Sequence, residues 1–327
     1  MKALILHIGP HKTGTTYLQQ RLCDSRAELR DRGLLYPESF IDIFGHHLLF
    51  RALRDGDIDP EGHRQLESMQ AFDGVVMLSS ENFSRWLPES IERLRGYLGE
   101  TVVKVVYYYR TPSERLISQW QEEVKHGATS TFWAYFADHA SRPVMSPVLN
   151  ASIALERFAA VFGPGAVHVI DYARARRQGS MLADLLAVAG LRMASGQAKV
   201  VNRMESLAQV EIIRGLNVLA RNDRRLHGLN VRRAFWEIRD RCQRQIECIG
   251  NVINRGLVPF EAGDCQFDRI LRSHVASRFP AQMDGVGLER KSRTHRIPNS
   301  DWTLSREAFD ALSEIYERFR QDLWQRP

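Results

Sequence analysis

The first twenty residues of the chain predict a strand, a tight turn and a helix in immediate succession. Residues 3–8 are apolar with β-branched content, and Gly9 and Pro10 end this run. Thr15 or Thr16 is placed to cap the helix that follows, in which polar and apolar residues recur with a helical period. Alternation of strand and helix is typical of a parallel sheet with crossover helices, so this stretch constrains the chain to an α/β fold.

The turn between this strand and helix has the composition of an anion-binding loop. Gly9 and Gly14 allow the backbone to turn tightly and to direct N–H groups to one point, at the positive end of the helix. The glycine spacing matches the nucleotide phosphate loop G-x-x-x-x-G, but Lys12 precedes the second glycine instead of following it. No residue is evidently placed to hold Mg²⁺ together with Thr15. This order disfavours a P-loop kinase or nucleotide hydrolase.

The composition is that of a globular chain. Of its 327 residues, 44% are hydrophobic and 26% are charged. The N-terminal apolar run is too short for a signal peptide or an anchor, so a cytoplasmic protein without a transmembrane segment is expected. The four cysteines form no C-x-x-C pair and have no histidines at zinc spacing, which favours reduced thiols and no metal.

The chain carries a net charge of +6. Its arginines are dispersed through predicted helices instead of forming one tract, so nucleic acid is not expected as a partner. A solvated basic surface is the plainer interpretation of this charge, and the alternative is attraction of a polyanionic nucleotide.

Strands and helices alternate through the first 190 residues. Further strands are predicted at 34–36, 74–79, 101–109 and 166–171, and helices at 18–32, 88–98 and 151–162 and from 112 onwards. After about residue 191 long polar helices are predicted at 203–221, 231–253, 266–279 and 305–324, with loops at 259–264 and 280–298.

This order of elements predicts an α/β fold of the P-loop type. It is a three-layer sandwich with a central parallel sheet and an added C-terminal helical subdomain. We expect a single domain over residues 1–327, in which residues 1–190 form a nucleotide-binding α/β core and residues 191–327 form a mostly helical subdomain packed on it.

A second phosphate motif follows the most continuous predicted strand, at 101–109. Arg110 comes at the end of this strand, and Ser118 lies on the second turn of the helix that begins near Pro112. Arginine offers a planar fork for phosphate, and serine can donate a hydroxyl to the same group. By itself this spacing is as compatible with a surface salt bridge and a solvated serine, but the N-terminal loop makes the signal strong.

Together the two motifs resemble those of sulfotransferases that use 3′-phosphoadenosine 5′-phosphosulfate (PAPS). The loop pattern of that superfamily is P-K-[ST]-G-[ST]-[ST], and the chain has the same order with His11 inserted after Pro10. The resemblance covers roughly residues 1–190. It implies PAPS as a co-substrate without a metal, and it assigns nucleotide binding to His11, Lys12, Thr13, Gly14, Thr15, Thr16, Arg110 and Ser118.

The resemblance also implies transfer of a sulfuryl group to a hydroxyl or amine of a small-molecule, glycan or lipid acceptor. Lys12 would neutralise the negative charge that builds on the departing nucleotide. A general base must take the proton of the acceptor, and Glu38, His46, His47 and Glu81 are candidates, with Glu38 and His47 preferred as catalytic residues. A helix cap or a surface position is the plainer alternative for each of these four residues.

Two further interpretations stay open. The chain could be a non-catalytic sulfotransferase-like module that binds a nucleotide or glycan, or a P-loop kinase. Near the C terminus, Arg290 and Lys291 followed by Ser292 resemble the Arg-Lys-Gly loop that closes over PAPS in cytosolic relatives, and a solvated loop is the alternative there.

Overall fold

The computed structural model describes residues 1–192, 205–221, 223, 230–288 and 292–324. Within these residues the strands are β1 (Ala3–His7), β2 (Leu34–Leu35), β3 (Val75–Ser79), β4 (Val102–Tyr109), β5 (Val167–Asp171), β6 (Leu257–Ala262) and β7 (Arg293–Pro298). The α-helices are α1 (Thr15–Asp24), α2 (Arg26–Asp31), α3 (His47–Asp55), α4 (Pro60–Gln70), α5 (Pro88–Leu98), α6 (Pro112–Lys125), α7 (Phe132–Ala140), α8 (Ser152–Phe162), α9 (Tyr172–Gln178), α10 (Met181–Val188), α11 (Leu207–Arg221), α12 (Val231–Ile238), α13 (Gln243–Arg255), α14 (Gln266–Arg278) and α15 (Arg306–Trp324).

The first five strands form one parallel sheet in the order β2-β3-β1-β4-β5. β1 lies at the centre, with His7 opposite Ser79 of β3 on one side and opposite Val106 of β4 on the other. Because all neighbours run parallel, the carboxyl ends of the strands meet at one edge, where open α/β sheets place their functional groups. The predicted α/β class with a central parallel sheet and additional C-terminal helices is confirmed.

Apolar side chains cover both faces of this sheet. Leu4 and Leu6 of β1 belong to a buried cluster that includes Trp86, whereas Ile5 belongs to a second cluster that includes Tyr108. Successive residues of a strand point to opposite faces, and a strand buried on both sides therefore reads as a continuous apolar run. The two clusters give the helix-sheet-helix layers that the sequence predicts.

The described chain divides into two compact units. The first comprises Met1–Pro112, Val144–Val201 and Gln266–Arg290, and it holds the five-stranded sheet. The second comprises Ser113–Pro143, Asn202–Cys265 and Lys291–Pro327. A single domain over residues 1–327, with a core at 1–190 and a helical subdomain at 191–327, stays a prediction.

The second unit has a polar centre of its own. The Arg214 guanidinium lies 2.7 Å from the Glu211 carboxylate, and both side chains are almost fully buried. Trp302 Nε1 donates a hydrogen bond to the same carboxylate at 2.7 Å, and Arg214 also donates to the carbonyl of Thr129. Because a buried charge is costly unless it is paired and hydrogen-bonded, these contacts satisfy Glu211 inside the unit.

Two segments that the sequence predicts as loops contain strands instead. β6 overlaps the first loop at residues 259–262, β7 lies within the second, and the two strands pair antiparallel with Leu257 opposite Pro298. Pro259 within β6 misled the prediction, since proline is compatible with a strand only where it gives up no ladder hydrogen bond. The helix predicted at 231–253 is also divided, into α12, a 3₁₀ turn at Arg239–Cys242 and α13.

Among the described helices, none has an apolar stretch long enough to cross a bilayer.

We expect Gly74→Ala to lower the stability of the first unit. A Cβ at Gly74 would lie 2.5 Å from the carbonyl oxygen of Gly33, so backbone would have to move at the start of β3. Overpacking of this kind costs about 1–3 kcal/mol. Gly96→Ala is the matched control, because Gly96 lies in α5 with nothing within 4 Å of the added carbon, and it should gain about 0.5–1 kcal/mol. Urea denaturation midpoints measure both, and equal midpoints would contradict the clash.

Candidate functional site

The loop between β1 and α1 has an unusual backbone. Gly9 and Gly14 have φ angles of 93° and 72°, and Lys12 has a φ of 69°, in the left-handed region that residues with side chains seldom occupy. Gly14 is the N-cap of α1, so the prediction of Thr15 or Thr16 as the cap is wrong. Both threonines begin the helix instead, and the N–H groups of a first helical turn have no acceptor within the helix.

Side chains hold this loop in shape. Arg110 follows β4, and its Nη1 donates a hydrogen bond to the carbonyl of Lys12 at 2.7 Å. The same guanidinium lies 5.4 Å from the ring centroid of Tyr172, a cation–π contact. The hydroxyl of the buried Thr13 donates to the carbonyl of Pro10 at 2.6 Å. A left-handed non-glycine residue costs about 1–3 kcal/mol, so the surroundings must impose the conformation of Lys12.

The turn after β3 packs directly against this loop. A Cβ on Gly9 would lie 2.9 Å from the Cα of Glu81, so only glycine permits the contact. Gln19 of α1 donates a hydrogen bond from Nε2 to Glu81 Oε2 at 2.9 Å. Burial acts to raise the pKa of Glu81, but attraction to His11, which becomes protonated in the same acid range, and the hydrogen bond from Gln19 outweigh burial and hold that pKa below its usual value. Glu81 is therefore a carboxylate at neutral pH.

A single amide joins two histidines at this turn. His11 Nε2 lies 3.0 Å from Asn82 Oδ1, and Asn82 Nδ2 lies 3.4 Å from His47 Nδ1. His47 Nδ1 is also 2.7 Å from the hydroxyl of Ser80. Burial lowers the pKa of His11 to about 4 although Glu81 opposes this, so His11 is neutral at pH 7 and donates from Nε2. The sequence places Ser80, Glu81 and Asn82 together at the end of the third strand, but it suggests a role for Glu81 alone.

Two other histidines are part of the buried structure below the site. His46 is fully buried, with its Nδ1 accepting from the N–H of Ser79 at 3.1 Å and its Nε2 donating to the carbonyl of Pro37 at 3.2 Å. Burial lowers the pKa of His46 to about 3 and that of His7, whose Nδ1 lies 2.7 Å from the hydroxyl of Ser79, to about 4. Both ring nitrogens of His46 are engaged in hydrogen bonds, so neither has a lone pair available to take a proton from a substrate. His46 is therefore not a candidate general base.

Glu38 lies apart from this group of residues. It follows β2, which is separated from β1 by β3. Its side chain is 84% exposed, and its carboxylate is 3.5 Å from Nη1 of Arg26. Within the described part of the chain, no hydrogen bond links Glu38 to the loop. The structure thus brings Glu81 and His47 to the loop and leaves Glu38 at a more distant strand end.

The nucleotide contacts predicted for the loop, Arg110 and Ser118 all remain predictions. Ser118 belongs to the second unit, where its hydroxyl donates to the carbonyl of Glu114 within α6 at 3.3 Å. Arg290 and Lys291 lie outside the described residues. The approach of Ser118 to Arg110 therefore stays an expectation drawn from the sequence.

No group of three or more histidine, cysteine, aspartate or glutamate side chains with metal-binding geometry occurs in the residues that the structure describes.

Comparisons with known proteins give little similarity. No protein-family model and no curated protein matches the sequence. A solved sulfotransferase from Alicyclobacillus acidocaldarius is similar with a TM-score of 0.39 and 17% identity, over 67% of this chain and 94% of that one. The function is accordingly argued from the residues of the site.

The buried histidines predict a loss of stability in mild acid. Unfolded histidine takes up a proton below about pH 6.5, whereas folded His46 does so only near pH 3, so the stability that depends on neutral His46 is full above pH 6.5 and falls as the pH is lowered through that window. Between pH 7 and pH 5 this amounts to about 2 kcal/mol.

The measurement is the urea denaturation midpoint at both pH values. His46→Gln should be less stable at pH 7 but should lose less on acidification than the wild type. His63→Gln, at an exposed position on α4, should keep the wild-type loss. An equal acid loss in His46→Gln and the wild type would contradict the assignment.

Proposed function

We propose that the chain is a PAPS-dependent sulfotransferase. One observation carries the proposal, namely the left-handed Lys12 in an amide-lined loop before α1, with its carbonyl held by Arg110. Such a loop offers backbone N–H groups and an ammonium to one anion. The position of Lys12 within the loop, ahead of Gly14, supports binding of a phosphosulfate rather than the β- and γ-phosphates of ATP.

The chemistry of the loop fits the 5′-phosphosulfate group. Small residues and first-turn amides offer donors for its oxygens, as the resemblance implies for Thr15 and Thr16. Thr13 contributes through the fold, because its hydroxyl is engaged with the loop carbonyl of Pro10. Arg110 has a planar fork with five donors, which allows it to hold the Lys12 carbonyl and, as we propose, the 3′-phosphate as well.

In the proposed reaction an acceptor oxygen or nitrogen attacks the sulfur of PAPS. The bond from sulfur to the acceptor forms while the bond from sulfur to the bridging phosphate oxygen breaks, and the electron pair of that bond stays on the released 3′,5′-bisphosphate nucleotide (PAP). The Lys12 ammonium neutralises this charge. The acceptor proton passes to a general base, so charge and protons balance.

We assign the general base to His47. The Asn82 amide lies between its ring and His11 of the phosphate loop, whereas Glu38 is exposed and paired with Arg26. A hydrogen bond of 2.7 Å joins His47 Nδ1 to the Ser80 hydroxyl. We propose the tautomer in which Nδ1–H donates to Ser80; the 3.4 Å approach of the Asn82 NH2 group to Nδ1 is then a contact without a hydrogen bond, and the lone pair of Nε2 is left for the acceptor proton. Ser80 thereby sets the tautomer that the base requires.

The acceptor is a hydroxyl or amine of a small molecule, a glycan or a lipid in this proposal. All four cysteines are free, which suits the reducing conditions of the cytoplasm, where we place the reaction.

The nucleotide test is a calorimetric titration with PAP and with ATP. We expect PAP to bind at least tenfold more tightly than ATP, because the loop and Arg110 match a nucleotide with phosphates on both the 3′ and 5′ positions.

Lys12→Met should lower turnover by about 10²–10³-fold, the range for loss of one transition-state charge contact. Lys2→Met is the control, since Lys2 is exposed and pairs with Asp73. Turnover is release of PAP from labelled PAPS with an acceptor that the wild type sulfates. Tighter binding of ATP, with a need for Mg²⁺, would indicate a kinase instead.

The assignment of the base has a separate test. His47→Gln should lower turnover by about 10²–10⁴-fold and leave the dissociation constant for PAP nearly unchanged, because a base acts on the acceptor and not on the nucleotide. His126→Gln, at an exposed position on the second unit, is the matched control. Glu38→Gln distinguishes the rival base: a loss of kcat at saturating acceptor in this variant, with His47→Gln active, would reverse the assignment.

A further inference from the structure

A second concave surface lies at the carboxyl end of β2. It is an open cleft of about 510 Å³, within the range of small-ligand sites. All its lining residues belong to the first unit. The polar ones are Arg26, Arg30, Glu38, Ser39, Gln65 and Ser68. The nucleotide-binding residues proposed above do not include any of them.

The cleft carries an excess of positive charge. Arg26 and Arg30 lie four residues apart on α2 and so share one face of the helix. Arg26 is fixed in place, because its Nε donates to the carbonyl of Tyr36 at 3.2 Å and its guanidinium lies 5.6 Å from the Tyr36 ring centroid. Glu38 is 3.5 Å from Arg26 and is the lone carboxylate among the cleft's described lining residues. The lining of the cleft thus includes two arginines and one carboxylate.

This cleft is joined to the site through one buried side chain. Pro37 of the cleft accepts a hydrogen bond from His46, and His46 in turn accepts from the N–H of Ser79, the last residue of β3. The next residue, Ser80, contacts His47. Because β2 lies two strands from β1, the two are about 10 Å apart across the sheet. Leu35 at the end of β2 pairs with Val76, three residues before Ser79, which pairs with His7 at the end of β1, so the two strand ends are roughly 14 Å apart.

We propose that this cleft binds the acceptor, and that the acceptor is a hydroxylated molecule with an anionic group, a carboxylated or sulfated saccharide. The anion lies on Arg26 and Arg30, and the hydroxyl that is sulfated lies at the other end of the acceptor, toward the end of β1. A guanidinium group can donate to two oxygens of a carboxylate or of a sulfate at once, and Gln65 and Ser68 supply hydrogen bonds for sugar hydroxyls. This inference rests on the proposed sulfotransferase function where it identifies the ligand as the acceptor. Binding of an anionic saccharide to the cleft does not depend on that function.

The experiment compares three disaccharides that differ in one group: a uronic-acid carboxylate, a sulfate ester or a neutral hydroxymethyl. Each is titrated into the full chain, with and without PAP, and followed by ligand-observed NMR. We expect both anionic disaccharides to bind about fivefold more tightly than the neutral one, as for a partly exposed ion pair. Whether carboxylate or sulfate binds more tightly identifies the source of the anion.

Variants locate the binding. Arg30→Gln should remove most of the anionic preference, and Arg30 is exposed, so the fold should tolerate the change. Arg64→Gln, on the exposed surface of α4 and paired with Glu61, should keep the preference. Glu38→Gln should tighten anionic binding about twofold, because it removes the one negative charge in the described lining of the cleft.

The outcomes separate the two proposals. Equal binding of the three disaccharides, or an anionic preference that Arg30→Gln leaves intact, overturns the assignment of the cleft, even if PAP binds. An anionic preference that depends on Arg30, in a chain that does not bind PAP, keeps the cleft as an anion site and overturns the sulfotransferase function. A preference that depends on Arg30, together with PAP binding, supports both.

Discussion

The hydrogen bond from Arg110 to the Lys12 carbonyl is the contact on which the geometry of the site depends. It joins the end of β4 to the loop after β1, two strands that are neighbours in the sheet. Without a restraint, Lys12 would leave the left-handed region, since that conformation is unfavourable for a residue with a Cβ. The ring of Tyr172 in turn limits the guanidinium to one orientation. By holding the backbone of Lys12, the charged Arg110 side chain thus sets the direction in which the Lys12 side chain leaves the loop.

Burial separates the histidines near the loop into two kinds. His7 and His46 are fully buried and neutral, and their hydrogen bonds to Ser79 fix the end of β3. A neutral imidazole serves there because it can donate and accept at once without the cost of a buried charge. His47 is only partly buried and contacts the Ser80 hydroxyl. His7 and His46 therefore form a rigid support at the end of β3, and His47 next to them remains accessible to a substrate.

The sequence predicts those parts of the site that are local along the chain. The strand, loop and helix at the N terminus follow from apolar runs and glycines, and the bounds of α5 follow from Pro88 and Gly99. Arg110 was found for the same reason, because a continuous β-forming run ends just before it. Strand order is not a local property, however, and nothing in the residues indicates that β3 lies between β1 and β2. For that reason the sequence suggests no role for Ser80 and Asn82.

The same nonlocal effect governs the choice among the candidate bases. Each of Glu38 and Glu81 follows a predicted strand, so their local sequence signals are equivalent. Only the sheet order distinguishes them, because β3 is adjacent to β1 and β2 is not. The strands β6 and β7 were missed for another reason: both contain a proline, β7 is mostly polar, and only their pairing reveals them.

The central position of β1 has a consequence for the proposed reaction. Arg110 approaches the loop from the β4 side, whereas Glu81, Asn82 and His47 approach it from the β3 side. Group transfer needs the attacking and departing atoms on opposite sides of the sulfur, held in line before reaction. Under the proposed function the nucleotide would extend toward β4 and the acceptor toward β3 and β2, with Lys12 between them. β1 provides this arrangement because it is a central strand and both of its neighbours run parallel to it. The side chains that follow β3 and those that follow β4 therefore reach the end of β1 from opposite sides.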